Sequence, residues 1–218
     1  MLERSQVAII IPAYNEANTI ARVVENVNSY GRVIVVDDCS HDNTSLLAEQ
    51  AGAVVVKHSV NKGYDAALNS GFAEAKRLSA QYAITFDADG QHDKSFISTF
   101  LSHLQQGNDL VLGVRPNKAR LAELVFSIYT RLRFGFFDPL CGMKGYRMNL
   151  YEELGHFDSY KSIGTELSLY GLRKGKAFVQ ILIPIKERED QPRFGRIFSA
   201  NLRIFRAMFC HLLHKNNY

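Results

Sequence analysis

Short apolar runs and amphipathic stretches alternate along the first half of the chain. Residues 7–11 form an uninterrupted apolar run that ends at Pro12, and such runs are typical of parallel strands covered on both faces of a sheet. Residues 20–27 then carry apolar side chains at helical spacing, with Asn18 or Thr19 as the expected N-cap. The pattern therefore predicts a buried strand followed by an amphipathic helix.

This strand and helix unit repeats along the chain. Strands that alternate with helices at this spacing imply right-handed crossovers and parallel pairing. We therefore expect an α/β fold with a Rossmann-like, mostly parallel central sheet flanked by helices. Further strands are predicted at residues 33–36, 53–57, 82–86 and 109–113, and further helices at residues 43–51, 66–75 and 94–106.

The pattern changes after residue 114. Residues 115–134 are predicted to form a basic helix, and residues 178–187 to form another apolar strand, in which Pro184 indicates an edge position or a break. Between them, a loop and strand are predicted at residues 138–148 and helices at residues 149–157 and 163–174.

The chain ends in a predicted amphipathic helix that begins near residue 196. No acidic residue follows Asp190, and Arg203 and Arg206 lie on a cationic face opposite a wide apolar arc. This pattern is typical of a helix that lies on a membrane surface, here through residues 196–214. A helix packed on its own domain, on a partner chain or on a second copy has the same pattern. The two arginines argue against a membrane-spanning helix.

Composition narrows the class of protein. The 218 residues are 46% hydrophobic and 22% charged, which suits one globular α/β domain. Cys39, Cys141 and Cys210 show neither disulfide nor zinc spacing, so we expect a reduced, cytoplasmic protein, peripheral on the inner face if the tail lies on a membrane. No signal peptide or membrane span is predicted. The basic residues match no nucleic-acid readout motif, so no nucleic-acid partner is expected.

Asp87 and Asp89 follow the predicted strand of residues 82–86, at the sheet edge where open α/β folds bind ligands. Two carboxylates so close together repel each other unless a cation lies between them. Carboxylate oxygens with a neighbouring amide, here Gln91, are ligands that Mg²⁺ or Mn²⁺ prefers. We interpret this stretch as the metal and diphosphate seat of an enzyme; the alternative is a turn that only caps the backbone.

Six stretches carry a family resemblance. They are Ile-Pro-Ala-Tyr-Asn-Glu at residues 11–16, Val-Val-Asp-Asp-Cys-Ser at residues 35–40 followed by Asp42, Asn-Lys-Gly at residues 61–63, residues 83–92, Gly-Val-Arg at residues 113–115, and Cys-Gly-Met-Lys-Gly-Tyr-Arg at residues 141–147. Together they resemble the inverting glycosyltransferases of family 2, with the GT-A fold, and among these the dolichyl- or polyprenyl-phosphate mannosyltransferase-type synthases. The resemblance implies one GT-A domain at residues 1–195, with a nucleotide-sugar half (1–114) and an acceptor half (115–195), followed by the helix of residues 196–218.

The resemblance also implies roles for single residues. A nucleotide-sugar donor, linked to UDP or GDP, would hydrogen-bond to Asp38 through its base or ribose. Asp89 and Gln91 would hold Mg²⁺ or Mn²⁺ on the diphosphate, with Asp87 on the nucleotide side. In the alternative, the Asp38 loop only caps a helix and Tyr14 only covers the sheet. The implied donor-binding residues are Pro12, Tyr14, Glu16, Val36, Asp38, Asp87 and Ala88, and the implied metal residues are Asp87, Asp89 and Gln91.

The acceptor decides which other residues take part. A sugar hydroxyl needs a carboxylate base, whereas an ionised lipid phosphate needs cations. Many hydroxyl-acceptor members of the family carry a Glu-Asp pair where this chain has Thr165-Glu166, which favours a polyprenyl phosphate acceptor. The candidate catalytic residues are Asp89, Asp138 and Glu166, and the candidate acceptor-binding residues are Arg115, Arg120, Arg131, Arg188 and Arg193.

Three functional hypotheses follow. The first is metal-dependent, inverting transfer of a sugar from a nucleotide sugar to polyprenyl phosphate at the membrane surface. The second keeps the donor but uses a glycan or saccharide hydroxyl as acceptor, with Glu166 or Asp138 as base. The third is a non-catalytic peripheral membrane protein with a degenerate nucleotide site.

Overall fold

The computed structural model describes residues 3–116, 120–184 and 197–213, with side chains from Ala200 onward in the last range. A short 3-10 turn at Arg4–Gln6 precedes the strands and helices. The strands are β1 (Val7–Ala13), β2 (Arg32–Asp37), β3 (Val54–Lys57), β4 (Tyr82–Thr85), β5 (Leu110–Val114), β6 (Lys144–Arg147) and β7 (Phe178–Leu182). The helices are α1 (Ile20–Val27), α2 (Thr44–Gln50), α3 (Tyr64–Arg77), α4 (Ser95–Gln105), α5 (Leu121–Phe134), α6 (Met148–Leu154), α7 (Glu166–Arg173) and α8 (Ile197–Leu213).

The strands form one sheet in the order β3-β2-β1-β4-β6-β5-β7. The strand pairs are parallel except for those of β6, which runs antiparallel to both β4 and β5. The predicted mostly parallel sheet is thus confirmed. The edge position predicted from Pro184 is also confirmed, because β7 is an edge strand and ends at Leu182.

Helices cover both faces of the sheet, which explains the continuous apolar run of β1. Ala8 and Ile10 face the core under α3, α6 and α7, whereas Ile9 and Ile11 face the core under α1 and α4. A side chain at Gly71 in α3 would collide with Ile10. This glycine therefore lets α3 lie directly against β1, and the free energy gained is that of burying apolar surface on both sides of the strand.

The basic helix predicted from residue 115 begins only at Leu121. Pro116 disfavours a helical conformation in the residue before it, and the backbone N–H of Arg115 donates to a carboxylate oxygen of Asp138 at 3.0 Å. Arg120 is also extended, with φ −132° and ψ 149°. Arg115 is therefore held at the sheet edge by Asp138, and Arg120 has not yet entered α5.

Helix α8 packs on its own domain through a narrow line of residues. Ala200, Ile204, Ala207 and His211 are buried, and α5 is the helix that they face. His211 lies between Tyr160 and Arg173. Small alanines let α8 approach closely, so part of its apolar arc stays uncovered. Within the described ranges, no helix has the length and apolar character needed to cross a membrane.

Candidate active site

The carboxyl ends of β2, β1 and β4 lie side by side at one edge of the sheet. The backbone N–H of Asp38 donates to the carbonyl of Ala13 at 2.9 Å, and that of Phe86 donates to the carbonyl of Ile10 at 2.9 Å. These bonds continue the strand pairing into the loops that follow. The predicted donor-binding and metal residues therefore lie at a common edge, which is where ligands bind in sheets of this type.

Asp38 is buried and accepts hydrogen bonds from three groups. Its Oδ1 accepts from His58 Nδ1 at 2.7 Å and from the backbone N–H of Lys62 at 2.8 Å, and its Oδ2 accepts from the N–H of Gly63 at 2.7 Å. The other ring nitrogen of His58 lies 2.8 Å from Ser70 Oγ. A carboxylate offers about four acceptor positions, so one position of Oδ2 remains for a ligand.

The loop after β1 is fastened to the loop after β2. The N–H of Asn15 donates to Ser40 Oγ at 2.9 Å, and the N–H of His41 donates to Asn15 Oδ1 at 2.8 Å. Asn15 and Cys39 have φ of 54° and 66°, values that side-chain-bearing residues rarely adopt. Tyr14 is 36% exposed, with its ring centroid 6.3 Å from that of His41. An exposed aromatic ring, which can stack on a base, therefore lies on the loop that is fastened to the loop after β2.

The other predicted donor-binding residues contribute mainly backbone to this edge. Val36 and Ala88 are buried, and half-buried Pro12 pairs with Val36 across β1 and β2. Glu16 is also buried, and its Oε2 accepts a hydrogen bond from Thr19 Oγ1 at 3.1 Å. Glu16 thereby fastens the start of α1 behind the loop.

The Asp87 carboxylate is held between a histidine and a glycine. His92 Nε2 lies 2.9 Å from Asp87 Oδ2, and the His92 ring is buried. A side chain on Gly142 would collide with both oxygens of Asp87. Thr85 Oγ1 donates to the carbonyl of Gly142 at 2.6 Å, so the glycine is fixed in position. The 141–147 stretch therefore packs directly against the first aspartate of Asp-Ala-Asp.

Asp89 and Gln91 form a tight turn after Asp87. The N–H of Gln91 donates to Asp89 Oδ1 at 3.1 Å, across Gly90 with φ 73°. Within the described residues, no group of three or more His, Cys, Asp or Glu side chains is arranged to hold a metal ion. Two carboxylates and an amide suit Mg²⁺ or Mn²⁺, which keep waters and substrate phosphates as ligands and need no complete protein cage.

Glu166, the first residue of α7, is buried and hydrogen-bonded. Its carboxylate accepts from the N–H of Ser159 at 2.5 Å and from Ser159 Oγ at 2.8 Å, and it lies 2.9 Å from His156 Nε2. These contacts close the loop before α7 onto the start of the helix. To act as a base, Glu166 would have to give up some of these hydrogen bonds.

Asp138 forms a buried ion pair with Arg115. Arg115 Nε lies 2.7 Å from Asp138 Oδ2 and Nη2 lies 2.8 Å from Oδ1, a bidentate arrangement. Burial lowers the pKa of Arg115, but the hydrogen bonds to Asp138 together with the negative charges of Asp138 and Glu123 raise it by more, and its pKa lies above the ordinary value. The carboxylate of Glu123 lies 3.3 Å from Arg115 Nη2 and 3.0 Å from Arg120 Nη1, so it bridges the two arginines. Asp138 is therefore placed to orient Arg115.

Of the remaining predicted acceptor arginines, Arg131 lies within the described residues and does not join this group. Arg131 lies 5.1 Å above the ring of Phe137, farther along α5. Arg188 and Arg193 lie outside the described residues. Their proposed roles in acceptor binding stay predictions.

Several contacts at this edge were not predicted from the sequence. His58 follows β3 as Asp38 follows β2, so its position after a strand could have indicated a role at the same edge. Ser70 gives no such signal, because it lies in the middle of α3. The contact of Gly142 with Asp87 depends on the antiparallel pairing of β4 with β6, which sequence periodicity does not predict.

Comparison with known proteins agrees with this geometry. The chain is 30% identical over 170 residues to UDP-N-acetylglucosamine–dolichyl-phosphate N-acetylglucosaminyltransferase from Methanococcus voltae, covering 63% of this chain and 68% of that one. It is 28% identical over 224 residues to polyprenol monophosphomannose synthase from Mycolicibacterium smegmatis, covering 92% and 83%.

A solved structure and a family model extend the comparison. Glucosyl-3-phosphoglycerate synthase from Mycobacterium tuberculosis, in complex with Mn²⁺, UDP and phosphoglyceric acid, superposes with a TM-score of 0.75 at 18% identity, over 94% of this chain and 78% of that one. This likeness extends to the fold, which is GT-A. The model of the family described as glycosyl transferase family 2 matches residues 8–120. Since that match covers more than half of the chain, the protein belongs to glycosyl transferase family 2 and is a glycosyltransferase.

Proposed function

We propose that this enzyme transfers a sugar from a UDP-sugar to the phosphate of a polyprenyl phosphate, using Mg²⁺ or Mn²⁺. The observation that carries the proposal is the common sheet edge at which Asp38 is fixed beside Tyr14 and Asp87 is fixed by His92 and Gly142. This edge offers a base-recognising carboxylate next to a diphosphate seat. The names of two relatives include dolichyl phosphate and polyprenol.

The remaining acceptor position of Asp38 supports uracil as the base. Uracil presents a single ring N–H between two carbonyls, so it needs one acceptor. Guanine presents a ring N–H and an adjacent amino group, which a carboxylate matches best with one free position on each oxygen. Oδ1 of Asp38 already accepts from His58 and Lys62, so guanine would leave one of its donors without a partner, at a cost of about 1–3 kcal/mol.

The proposed reaction is a single in-line displacement. A phosphate oxygen of the acceptor attacks the anomeric carbon as the bond from that carbon to the UDP oxygen breaks, and the bonding electrons leave with UDP. The anomeric configuration is inverted. Asp87, Asp89 and Gln91 would hold the divalent ion, which supplies Lewis-acid stabilisation of the charge that develops on the leaving diphosphate. The phosphate nucleophile is already ionised near neutral pH and has no proton to lose.

The state of the two candidate bases supports a phosphate acceptor. Glu166 is occupied by Ser159 and His156, and Asp138 is occupied by the Arg115 guanidinium. A hydroxyl acceptor would require one of these carboxylates to exchange its partners for the hydroxyl proton. An ionised phosphate requires no such exchange, so the hydroxyl acceptor with Glu166 or Asp138 as base is the less favoured alternative.

An exposed apolar surface supports action at a membrane. Helix α5 exposes Leu121, Leu124, Ile128 and Leu132, which recur at helical spacing, and α8 packs against α5. The exposed apolar residues of α8, which neighbour Arg203 and Arg206, extend this apolar surface. Apolar side chains flanked by cations are typical of an interfacial helix on anionic lipid. The membrane contact predicted for residues 196–214 would therefore include α5.

The proposal is tested by ligand-dependent melting followed by product analysis. UDP-sugars and GDP-sugars are added to the full chain with and without Mn²⁺, and we expect UDP-sugars with Mn²⁺ to raise the melting temperature most, by mass action. Asp89→Ala should abolish the Mn²⁺-dependent part, whereas Glu152→Ala, at an exposed carboxylate of α6, should retain it. Incubation with polyprenyl phosphate should then yield a lipid-linked sugar of inverted configuration. Stabilisation by GDP-sugars alone would overturn the assignment of the base.

A further inference from the structure

A second cleft lies between the start of α3, the loop before α7, and α8. We call it the α3–α8 cleft; its volume is about 620 Å³. The described residues that line it do not include Asp38, Asp87 or Asp89. Lys62 and Gly63 in its lining hold Asp38 through their backbone N–H groups, so the cleft adjoins the donor edge. The residues that carry the argument are Lys62, Asp65, Asp158, Lys161, Arg203 and Arg206, all in its lining.

Four cationic side chains from three separate elements converge on this cleft. Lys62 precedes α3, Lys161 lies in the loop before α7, and Arg203 and Arg206 project from α8. All four are exposed, and none forms an ion pair with a carboxylate among the described residues. Like charges gathered on one cavity repel each other, and a multivalent anion would remove this repulsion.

The two acidic residues of the cleft are engaged by the backbone. Asp65 accepts from the N–H groups of Gly164 at 2.6 Å and Ile163 at 3.3 Å. Asp158 accepts from the N–H groups of Lys161 at 2.6 Å and Ser162 at 2.8 Å. These carboxylates hold the loop in place, and even when both are ionised the four cations exceed the two carboxylates by two charges. The cleft is therefore cationic on the side that faces solvent.

The cleft adjoins both the reaction centre and the apolar surface. Tyr64 lines the cleft and directly follows Gly63, whose backbone N–H donates to Asp38 Oδ2 at 2.7 Å. On α8, the residues next to Arg203 and Arg206 include Leu202 and Phe209, which are 62% and 60% exposed. An anion held by the arginines would thus have the donor edge on one side and uncovered apolar side chains on the other.

The arginines predicted to bind the acceptor have different surroundings. Arg115 is paired with Asp138 and Glu123, and Arg120 is paired with Glu123. Binding a phosphate at Arg115 would require it to share these partners. The α3–α8 cleft offers cations without described carboxylate partners, and two of them have planar guanidinium groups that suit phosphate oxygens.

We propose that the α3–α8 cleft binds the phosphate group of the prenyl phosphate acceptor through Lys62, Lys161, Arg203 and Arg206. The proposal rests on the function proposed above and names where its acceptor binds. The phosphate oxygens bind the cations, and the first isoprene units lie along the exposed side chains of α8. The acceptor phosphate is then presented to the sugar from the side of Tyr64.

The test measures binding of soluble probes to the full chain by calorimetry. The probes are geranyl phosphate, geraniol, inorganic phosphate, and UDP with Mn²⁺. We expect geranyl phosphate to bind the wild type and geraniol not to bind. The double variant Arg203→Gln/Arg206→Gln should bind geranyl phosphate at least about tenfold more weakly, because two charge-assisted contacts are lost. The single variant Lys161→Gln should also bind geranyl phosphate more weakly. UDP affinity should change less than about twofold in all variants.

A matched control removes two charges elsewhere. Lys57 and Lys76 are exposed and lie outside the cleft, so Lys57→Gln/Lys76→Gln should leave geranyl phosphate affinity unchanged. An equal loss in this control would show a general charge effect and overturn the proposal. So would unchanged affinity in both cleft variants, with melting temperatures showing that each is folded.

Two further measurements distinguish a prenyl phosphate from other sources of a phosphate group. Inorganic phosphate binding as tightly as geranyl phosphate would make the cleft a free-phosphate site and overturn the acceptor assignment. A second outcome is that the cleft variant binds phosphatidylglycerol vesicles more weakly than the wild type does but binds geranyl phosphate equally well. That result would make the cleft a membrane head-group site and would also overturn the acceptor assignment. Failure of the wild type to bind UDP with Mn²⁺ would instead contradict the proposed function, so the two failures are distinguishable.

Discussion

His58 Nδ1 lies 2.7 Å from Asp38 Oδ1, in a buried contact that fixes the carboxylate after β2. The same ring lies 2.8 Å from Ser70 Oγ through Nε2. Helix α3 thereby reaches, through an imidazole, the residue that we expect to recognise the base. The contact takes one acceptor position of Oδ1, and the backbone N–H of Lys62 takes another.

Replacing His58 should weaken and broaden base recognition. His58→Leu leaves a buried carboxylate with one donor fewer, so we expect UDP to bind about tenfold more weakly. The position released on Oδ1 becomes available to a second donor, and the ratio of UDP to GDP affinity should therefore fall. Calorimetric titration of both nucleotides with Mn²⁺ measures the two affinities.

His58→Gln provides the informative control for base recognition. Its amide can still donate to Asp38, so it should restore part of the UDP preference, whereas His103→Asn, on α4, should change nothing. An unchanged ratio of UDP to GDP affinity in His58→Leu would contradict the role assigned to the histidine.

Gly142 should tolerate no side chain, because the added methyl group would occupy the space of the Asp87 carboxylate. We expect Gly142→Ala to displace Asp87 and to lower kcat/KM at least about a hundredfold. Its melting temperature should change little, because the displaced group is the end of a half-buried side chain.

A neighbouring glycine distinguishes this effect from general damage to the sheet. Gly145 lies on β6 against Phe100 and Leu104, with 3.1 Å and 3.2 Å from an added methyl carbon to their ring and methyl carbons. Gly145→Ala should therefore lower stability by about 1–3 kcal/mol and retain Mn²⁺-dependent UDP binding. Equal losses of UDP binding in both variants would argue against a specific contact between Gly142 and Asp87.

Glu166→Gln separates the two acceptor chemistries. A glutamine at residue 166 can still accept from the N–H of Ser159, so the loop before α7 should remain closed. With a phosphate acceptor no proton has to be removed, and we expect kcat to stay within about threefold of the wild type. Loss of about a hundredfold or more, with unchanged KM for the donor, would favour a hydroxyl acceptor with Glu166 as base.

The sequence predicted the parallel half of the fold well because its signals there are local. Residues 7–11 and 33–36 are apolar without alternation, since helices cover both faces. β1 extends the first run by two residues at its carboxyl end, and β2 extends the second by one residue at each end. The carboxyl-end loops follow from strand direction alone. The placement of Asp38 and Asp87 at one sheet edge, on either side of β1, therefore required only that the sheet be parallel there.

Contacts between residues far apart in the chain could not be predicted in the same way. The insertion of β6 between β4 and β5 brings Gly142 to Asp87, and no periodicity in residues 141–147 indicates the partner strands. The tail shows the same limit. Its apolar arc indicates an amphipathic helix, but the buried line of Ala200, Ala207 and His211 depends on the shape of α5 and of the loop before α7.

Asp65 should make stability depend on pH. Burial, followed by the nearby Asp158 carboxylate, raises the pKa of Asp65 to about 6, against the opposing effects of the Gly164 and Ile163 N–H groups and the Lys144 ammonium. The unfolded chain releases this proton near pH 4, so between about pH 4 and 6 the folded state holds more protons. The contribution of Asp65 to the free energy of unfolding therefore falls as pH rises through this window and is constant above it.

Asp65→Asn removes this dependence while keeping an oxygen that accepts from the loop. Relative to the wild type, the variant should gain about 1–3 kcal/mol of unfolding free energy between pH 4 and pH 7. Urea unfolding at intervals of one pH unit measures the difference, and Glu152→Gln, at an exposed carboxylate of α6, should show none. A difference between Asp65→Asn and wild type that is the same at every pH would mean that the carboxyl group titrates normally in the folded protein. A difference that shrinks toward pH 7 would mean that its ionised form is stabilised by the fold, in which case the cations around the α3–α8 cleft act on Asp65 more strongly than burial does.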